Sequence, residues 1–544
     1  MEDLDVRKFF QATQPSKTLN VKNQEEGKYY IDFSSVRGGQ IIEELKEIIT
    51  FLSPDEPTCN LFTGHIGCGK STELLRLQAE LEREDFHVVY FESSNNMEME
   101  NVDIADILLA IASSVSESLQ PFKIEQPKRL QALLKEAERR LHTEIGLEAE
   151  ASLTHKGSEE EIHLFLQIGQ IGTKAKVPEL RSRLQEYLEP RTAQLIDIIN
   201  QELLQPAIDK LKQSDKKGLV VIVDNLDRID ISPKPWGRPQ PEHLFVDRGD
   251  QLRKLKCHLI YTIPLALIFS NEEATLRQRF GVPKVLPMVP VQHRDGSECK
   301  EGMDLLRQMV LARAFPDLMP RQRIDKIKEV FDSSETLDRL CRISGGHVRN
   351  LLGILNQSII KQRKLPLESK ILEDVIREQK NSRVAAIKTD EEWELLEKIA
   401  REKKVVKNNQ CQTLLRSMFV YEYRDLEGSW FDVNPLFAEK TEFKSRVESQ
   451  RQHQNKSAKD IIDLTLFAGL ETLSKKYDKF FLKKDYSQAF DAAVSAYNFC
   501  QNILKALDQE KQREIYSVAT ALFEYWKINK EQAKFYGGLE QDDS

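Results

Sequence analysis

The chain has 544 residues, enough for three or four domains of roughly 150 residues each. Its 79 Lys and Arg against 87 Asp and Glu leave a net charge of −8, which excludes a wholly basic nucleic-acid coat protein but allows a local basic face. With 23 Gly and 20 Pro the chain is neither collagenous nor low in complexity.

No stretch reaches the roughly 18 to 20 apolar residues of a membrane span, so no membrane contact is expected. The start, Met1-Glu-Asp-Leu-Asp-Val-Arg-Lys, lacks the basic-then-apolar layout of a secretory signal, and a soluble cytoplasmic protein is expected. Seven scattered cysteines without a CxxC pair predict reduced thiols rather than zinc ligands or disulfides.

The first clear element is the short apolar strand Cys59-Asn60-Leu61-Phe62-Thr63. It runs into Gly64-His65-Ile66-Gly67-Cys68-Gly69-Lys70-Ser71 and then into an amphipathic helix beginning Thr72-Glu73-Leu74. This is G-x-x-x-x-G-K-S between strand and helix, the context of a phosphate-binding P-loop. Its glycines let backbone N–H groups turn inward around a triphosphate, and the helix aims its positive end at the same anion. Lys70 is placed to reach the β- and γ-phosphates and Ser71 to ligate Mg²⁺. Cys68 is a thiol at a helix N-terminus, either redox-active or a small residue simply tolerated there.

A second strand is expected over 86–92, followed by a long insertion over 120–217. Gln131–Leu141 reads as a charged amphipathic helix, while 145–153 and 162–168 alternate at period two, as a hairpin turning near Gly157 would. That hairpin is either a partner contact or packed on its own domain. A helical stretch over Leu180–Leu211, interrupted at Pro190 and Pro206, completes the insertion.

The apolar run 219–223 ends in Asp224-Asn225-Leu226-Asp227-Arg228, a buried strand with acid at its carboxyl end. Asp224 is placed to hold Mg²⁺ through water. Asp227 either polarises an attacking water or caps the following helix. Strands four and five are expected over 257–264 and 284–290, the second at an edge because of its prolines. Thr262, near its strand's end, either bonds phosphate or water or is satisfied within the turn. The fold class is α/β, a parallel-sheet P-loop core with helices on both faces.

The remainder reads as a helical lid, then helices and a hairpin (419–423 and 430–433), then a helical tail. Boundaries are set at 1–27, 28–300, 301–385, 386–445 and 446–544. The helices-plus-hairpin unit reads as a winged helix. Lys403, Lys404, Lys407, Arg416 and Arg424 could face DNA there, but Glu422, Asp425, Glu427 and Asp432 oppose them in the wing. An intramolecular switch module is favoured over a DNA reader. In the tail, Leu464, Phe467 and Leu470, and Phe490, Val494 and Tyr497, have the spacing of core-facing helical residues.

The P-loop, the Asp224-Asn225-Leu226-Asp227 strand end, Tyr261-Thr262-Ile263-Pro264 and Ser344-Gly345-Gly346-His347-Val348-Arg349-Asn350-Leu351-Leu352 together resemble the bacterial AAA+/STAND-type ATPases, of origin-recognition-like or NACHT-like kind. The resemblance spans roughly residues 28 to 440. It implies ATP and Mg²⁺ as cofactors and slow ATP hydrolysis. It makes Lys70 and Ser71 the Walker A pair, Asp224 the Walker B carboxylate, Thr262 the polar sensor and Arg349 the lid arginine at the γ-phosphate. Tyr29-Tyr30-Ile31-Asp32-Phe33 with Val36-Arg37-Gly38-Gly39 resembles the segment that packs on adenine, which puts Arg37 at the nucleotide.

Where AAA+ proteins carry a catalytic glutamate, Asn225 stands, and an amide cannot be a general base. The arrangement instead resembles STAND proteins, with Asp227 in that role. The resemblance therefore implies a nucleotide-controlled switch that self-associates on binding ATP, with protein partners at the hairpin insertion or the C-terminal helices. Arg277 and Arg279 are candidates for an arginine acting in trans, or are surface ion-pairing residues. A DNA-binding loader is the alternative, and a small-molecule kinase a weaker one. Arg446 and His453 match the spacing of a HEPN-type ribonuclease once, a match ascribed to chance.

Overall fold

The computed structural model describes residues 4–122, 127–145, 178–230, 237–384, 387, 389–439, 443, 470–506 and 513–537. The expected hairpin over 145–168 lies outside these except at Ile145, which ends the helix Lys128–Ile145 and starts no strand; Leu464, Phe467, Arg446 and His453 also lie outside. The chain divides into two units, Met1–Lys440 and Thr441–Ser544.

The first unit is built on five parallel strands, β1 (Cys59–Gly64), β2 (Phe86–Glu92), β3 (Gly218–Asp224), β4 (His258–Thr262) and β5 (Lys284–Leu286), in the order β2-β3-β4-β1-β5. β3 is buried along its whole length because both sheet faces are covered. Val221 and Val223 pack with Leu61, Phe91 and the helix Ile104–Ser118 on one face. Val220 and Ile222 pack with Phe62, Ile260 and Leu74, Leu77 and Leu81 of the P-loop helix Lys70–Arg83 on the other. β5 lies at the edge as expected, but it ends at Leu286 and not at 290, because Pro287 has no N–H to continue the ladder. In the insertion, Pro190 lies in the short turn before the helix that starts at Thr192, whereas Pro206 does not interrupt the helical run 192–212 but follows its widened turn Ile199–Leu204.

Helices Lys300–Ala314, Ser334–Ser344, Val348–Gln362 and Ser369–Val384 pack as a bundle, the segment expected as the lid and so called below, around Met303, Leu306, Leu337, Leu340, Leu351 and Leu355. Ser333 caps the second by accepting from the Thr336 N–H. Gly345 ends it in the left-handed region, and Gly346, also at positive φ, lies so close to Val289 that a Cβ would fall 1.6 Å from its carbonyl oxygen. The N-terminal helix Val6–Ala12 packs on this lid. Phe9 enters the lid core, and Asn356 donates to the Phe10 carbonyl and the Thr13 hydroxyl at 3.2 Å each.

Helices Asp390–Glu402 and Asn409–Arg416 are followed by an antiparallel hairpin, β6 (Val420–Asp425) and β7 (Gly428–Val433). Tyr423 and Trp430 pair across it, stacked at 4.5 Å, and join the core of the sheet face that bears the P-loop helix. The hairpin also extends past β5, since the Met288 N–H donates to the Glu422 carbonyl at 2.9 Å.

The expectation of an acid-faced wing needs correcting. Glu422 and Asp432 are buried, Glu422 accepting from Ser429 and Asp432 pairing with Lys403 at 2.6 Å. Asp425 and Glu427 both pair with Arg294. The strand alternation points half of these acids inward, where specific cations and hydroxyls meet them.

The second unit is helical, with Tyr486–Ala506 against Arg513–Gly537. Its seam is Ala489, Ala493, Ala496 and Cys500 beneath Trp526 and Ala533. Phe490 and Tyr497 flank this seam rather than fill it, because alanines let the helix axes come closer. Among the described residues no helix is long and apolar enough to cross a membrane.

Candidate functional site

The carboxyl ends of β1 and β3 open on a cavity of about 870 Å³, counting its mouth. Gly67 through Thr72 form its floor, and Asn225, Asp227 and Arg228 one wall. Tyr29, Ile31, Phe33 and Arg37 line it, as do Met309, Arg313, Val348, Arg349 and Leu352 of the lid. Gly67, at positive φ, leaves room for the lid: a Cβ there would lie 2.8 Å from the Arg349 Cβ.

Lys70 is buried and folds back over the loop. Its ammonium donates to the Gly64 and His65 carbonyls at 2.9 Å each and pairs with Asp227 at 2.9 Å. Burial alone would lower its pKa, but the Asp227 charge overrides this and holds it above the usual lysine range. Asp227 is thus aimed into the site, not used as a helix cap, and its second carboxylate oxygen is buried without a partner in the described structure.

Asp224 is fully buried at the end of β3. It accepts from the Tyr90 hydroxyl at 2.8 Å and from the Asn225 N–H at 2.7 Å. Tyr90 stands one strand over on β2, so the donor that holds Asp224 comes from the neighbouring strand. Burial, then the neighbouring Asp224 charge, pushes that phenol far above its usual range. Ser71 and Asp224 fit Mg²⁺: they offer hydroxyl and carboxylate oxygens, the hard donors that the ion takes together with phosphate and water.

Three expected contacts fall elsewhere. The Thr262 hydroxyl is fully buried, accepting from the Leu226 N–H at 3.0 Å and lying 3.4 Å from the Val223 carbonyl, so it fixes the turn after β3 and does not line the cavity. The His65 side chain points away from the cavity floor, its Nε2 accepting from the Glu422 N–H at 2.9 Å. Burial drives the His65 pKa well below its ordinary value. Arg277 and Arg279 are held in ion pairs with Glu273 and Asp250.

Arg37 does line the cavity, where it braces the loop by donating to the Cys68 carbonyl at 2.8 Å. The Cys68 thiol is fully buried, 3.7 Å from the Leu286 carbonyl, a position that favours the tolerated-residue reading over redox chemistry.

The lid reaches the P-loop directly. The Arg349 N–H donates to the Gly67 carbonyl at 3.2 Å. His347 accepts from the Asn350 N–H at Nδ1, so its Nε2 carries the proton and donates to the Ile66 carbonyl at 2.8 Å. Burial lowers the His347 pKa to about 4, which keeps the ring neutral.

Sequence reasoning missed three groups. Residues 15–19 form a wall of the cavity, with the Leu19 N–H 3.4 Å from the Thr72 hydroxyl, although no motif marks them. Tyr90 was hidden in an alternating strand. Arg313 lies at the cavity's lid side, 5% exposed, donating to the Met309 carbonyl of its own helix while its Nε has no acceptor. Burial lowers its pKa to about 10, so the buried group stays charged at neutral pH. Among the described residues no carboxylate pairs with it. Arg313→Met is therefore expected to raise the melting midpoint of the nucleotide-free protein, by the equivalent of about 1–3 kcal/mol. A lowered midpoint would show that the guanidinium stabilises the fold.

Residues 39–233 match the KAP family P-loop domain, and this segment is a P-loop NTPase domain, as the motifs predict. No curated protein matches the chain. Among solved structures it is similar to the ORC2 protein of Aeropyrum pernix in ADPNP–ADP complexes, at 12% identity and a TM-score of 0.36, covering 81% of this chain and 98% of that one. It is also similar to Cdc6p of Pyrobaculum aerophilum, at 12% identity and 0.33, with the same coverages of 81% and 98%. A third is the Aeropyrum pernix ORC1 protein in complex with DNA, at 13% identity and 0.31, covering 80% of this chain and 98% of that one.

Proposed function

We propose that the chain is a Mg²⁺-dependent, slowly hydrolysing ATPase in which bound ATP sets the position of the lid and the hairpin unit. One observation carries this reading: three consecutive P-loop residues are each tied to a different outlying group. His65 bonds the Glu422 N–H of the hairpin, Ile66 bonds His347, and Gly67 bonds the Arg349 backbone. A phosphate drawing the loop's N–H groups inward would shift the same peptides that hold lid and hairpin.

In this reading Lys70 leaves Asp227 for the β- and γ-phosphates, freeing the carboxylate to orient and deprotonate water. Ser71 and Asp224 would hold Mg²⁺, which supplies charge neutralisation on the phosphates. Arg349 would follow the γ-phosphate, and Arg37 would hold the loop in shape. The changed lid and hairpin would then present a surface for self-association or a protein partner.

The DNA-loading alternative has less support, since Lys403, Lys407 and Arg416 pair with Asp432, Glu273 and Asp230. The test is mass photometry and hydrogen exchange with and without ATP and Mg²⁺. Added protection over 345–352 and 419–433, with or without a rise in mass, is the expected result. Exchange there that ignores bound nucleotide would refute the switch.

A further inference from the structure

We infer that Arg228 acts with Arg349 as a pair, both from the same chain, that recognises the terminal phosphate of a nucleoside triphosphate and separates it from the diphosphate. The inference rests on the nucleotide reading above and adds a residue to it. Arg228 closes the short turn Leu226–Arg228 after β3. That turn is rigidly set: Asn225 sits at φ 65°, the Leu226 N–H donates to Thr262, and the Arg228 N–H donates to the Asn225 carbonyl at 3.1 Å.

Arg228 lines the main cavity and also a neighbouring open cleft, which lies beyond the P-loop between Pro264–Ala266 and Leu415–Met418. Asp227 lines both as well. Arg228 therefore stands where the two spaces meet, on the side of Lys70 occupied by the proposed water-orienting carboxylate. A phosphate chain laid along Gly67–Ser71 with its end at Lys70 would bring its terminal group to that side.

The charges near this point do not balance. Among the described residues neither Arg228 nor Arg349 has a carboxylate within ion-pairing distance, while the adjacent Asp227 is held by Lys70. Burial lowers the Arg349 pKa and the like charge of Arg228 lowers it further, with Cys68 and Asp227 opposing part of that shift. Both line the cavity, Arg228 exposed and Arg349 half-buried, and an anion bound near both would relieve their mutual repulsion. A γ-phosphate supplies that anion, and after its loss the diphosphate ends short of it. The arginines first considered for a second subunit are both engaged in their own ion pairs, so the required positive charge is already present in this chain.

The test is calorimetric titration of the full chain with Mg²⁺ and either ADP or a non-hydrolysable ATP analogue, for wild type, Arg228→Gln, Arg228→Lys and Arg349→Gln. Arg228→Gln is expected to weaken the analogue by roughly tenfold or more while leaving ADP within about threefold, the size of one lost charge-assisted contact. Arg228→Lys should recover part of the loss. The wild-type preference should not change on dilution to monomer. Equal weakening of both nucleotides, no weakening of either, or a preference that disappears on dilution would overturn the role of Arg228. A wild-type protein that binds neither nucleotide would instead overturn the nucleotide reading itself, so the two failures are distinct.

Discussion

Lys70→Ala is expected to abolish measurable nucleotide binding. The ammonium is the cation aimed from the loop's own helix at the phosphate positions. Each charge-assisted contact it makes to the β- or γ-phosphate is worth about 1.5–3 kcal/mol, so losing two weakens binding by roughly 10²- to 10⁴-fold. The same substitution has a second cost in the nucleotide-free protein. Asp227 is 8% exposed, and one of its oxygens already lacks a partner, so removing Lys70 leaves a buried carboxylate uncompensated. Breaking a buried pair from one side destabilises by about 3–5 kcal/mol. The double variant Lys70→Ala/Asp227→Asn should regain most of that stability and none of the binding. Titration calorimetry and melting curves together separate the two effects, and nucleotide affinity retained in Lys70→Ala would dismiss the P-loop assignment.

Asp227→Asn is expected to divide binding from turnover. An amide can orient a water but cannot accept its proton, and loss of a general base lowers rates by about 10²- to 10⁴-fold. Binding should persist or tighten, because nucleotide then no longer competes with a carboxylate for Lys70. Phosphate release measured beside equilibrium affinity tests both halves. Unchanged turnover would remove Asp227 from the mechanism, and weakened binding would contradict the competition between carboxylate and phosphate.

The parts of this site that are legible in the sequence are contiguous ones. Gly64 through Ser71 run from the end of one strand through a loop into the next helix, and Leu219 through Asp227 lie within one strand and the turn after it, so chain order alone brings loop, lysine and carboxylates to one sheet edge. Alternating or apolar runs likewise announce β1 to β5. What the sequence does not disclose is direction. Thr262 ends β4 as expected, yet its hydroxyl faces the adjoining turn, because the Leu226 N–H needs an acceptor there. His65 occupies a variable position of the motif, where any residue satisfies the pattern, and only the hairpin packed behind it gives its ring a partner.

Tyr90 shows the same limit across strands. Alternation assigns it a sheet face, but the register of β2 on β3 is what sets its hydroxyl against Asp224. Arg313 and residues 15–19 come from segments hundreds of positions apart and share no motif. Their meeting depends on the N-terminal helix docking against the lid through Phe9 and Asn356.

The wall formed by residues 15–19 bears on time as well as affinity. On the proposed reading, a nucleotide lying between this segment, the P-loop helix and the lid is bounded on several sides by separate stretches of chain. Its departure then requires a gap to open, by Leu19 parting from Thr72 or by Arg349 lifting from Gly67. Dwell time follows the frequency of that opening more than the strength of any phosphate contact. ADP would outlast the cleavage that made it, and the protein would behave as a timer reset by exchange.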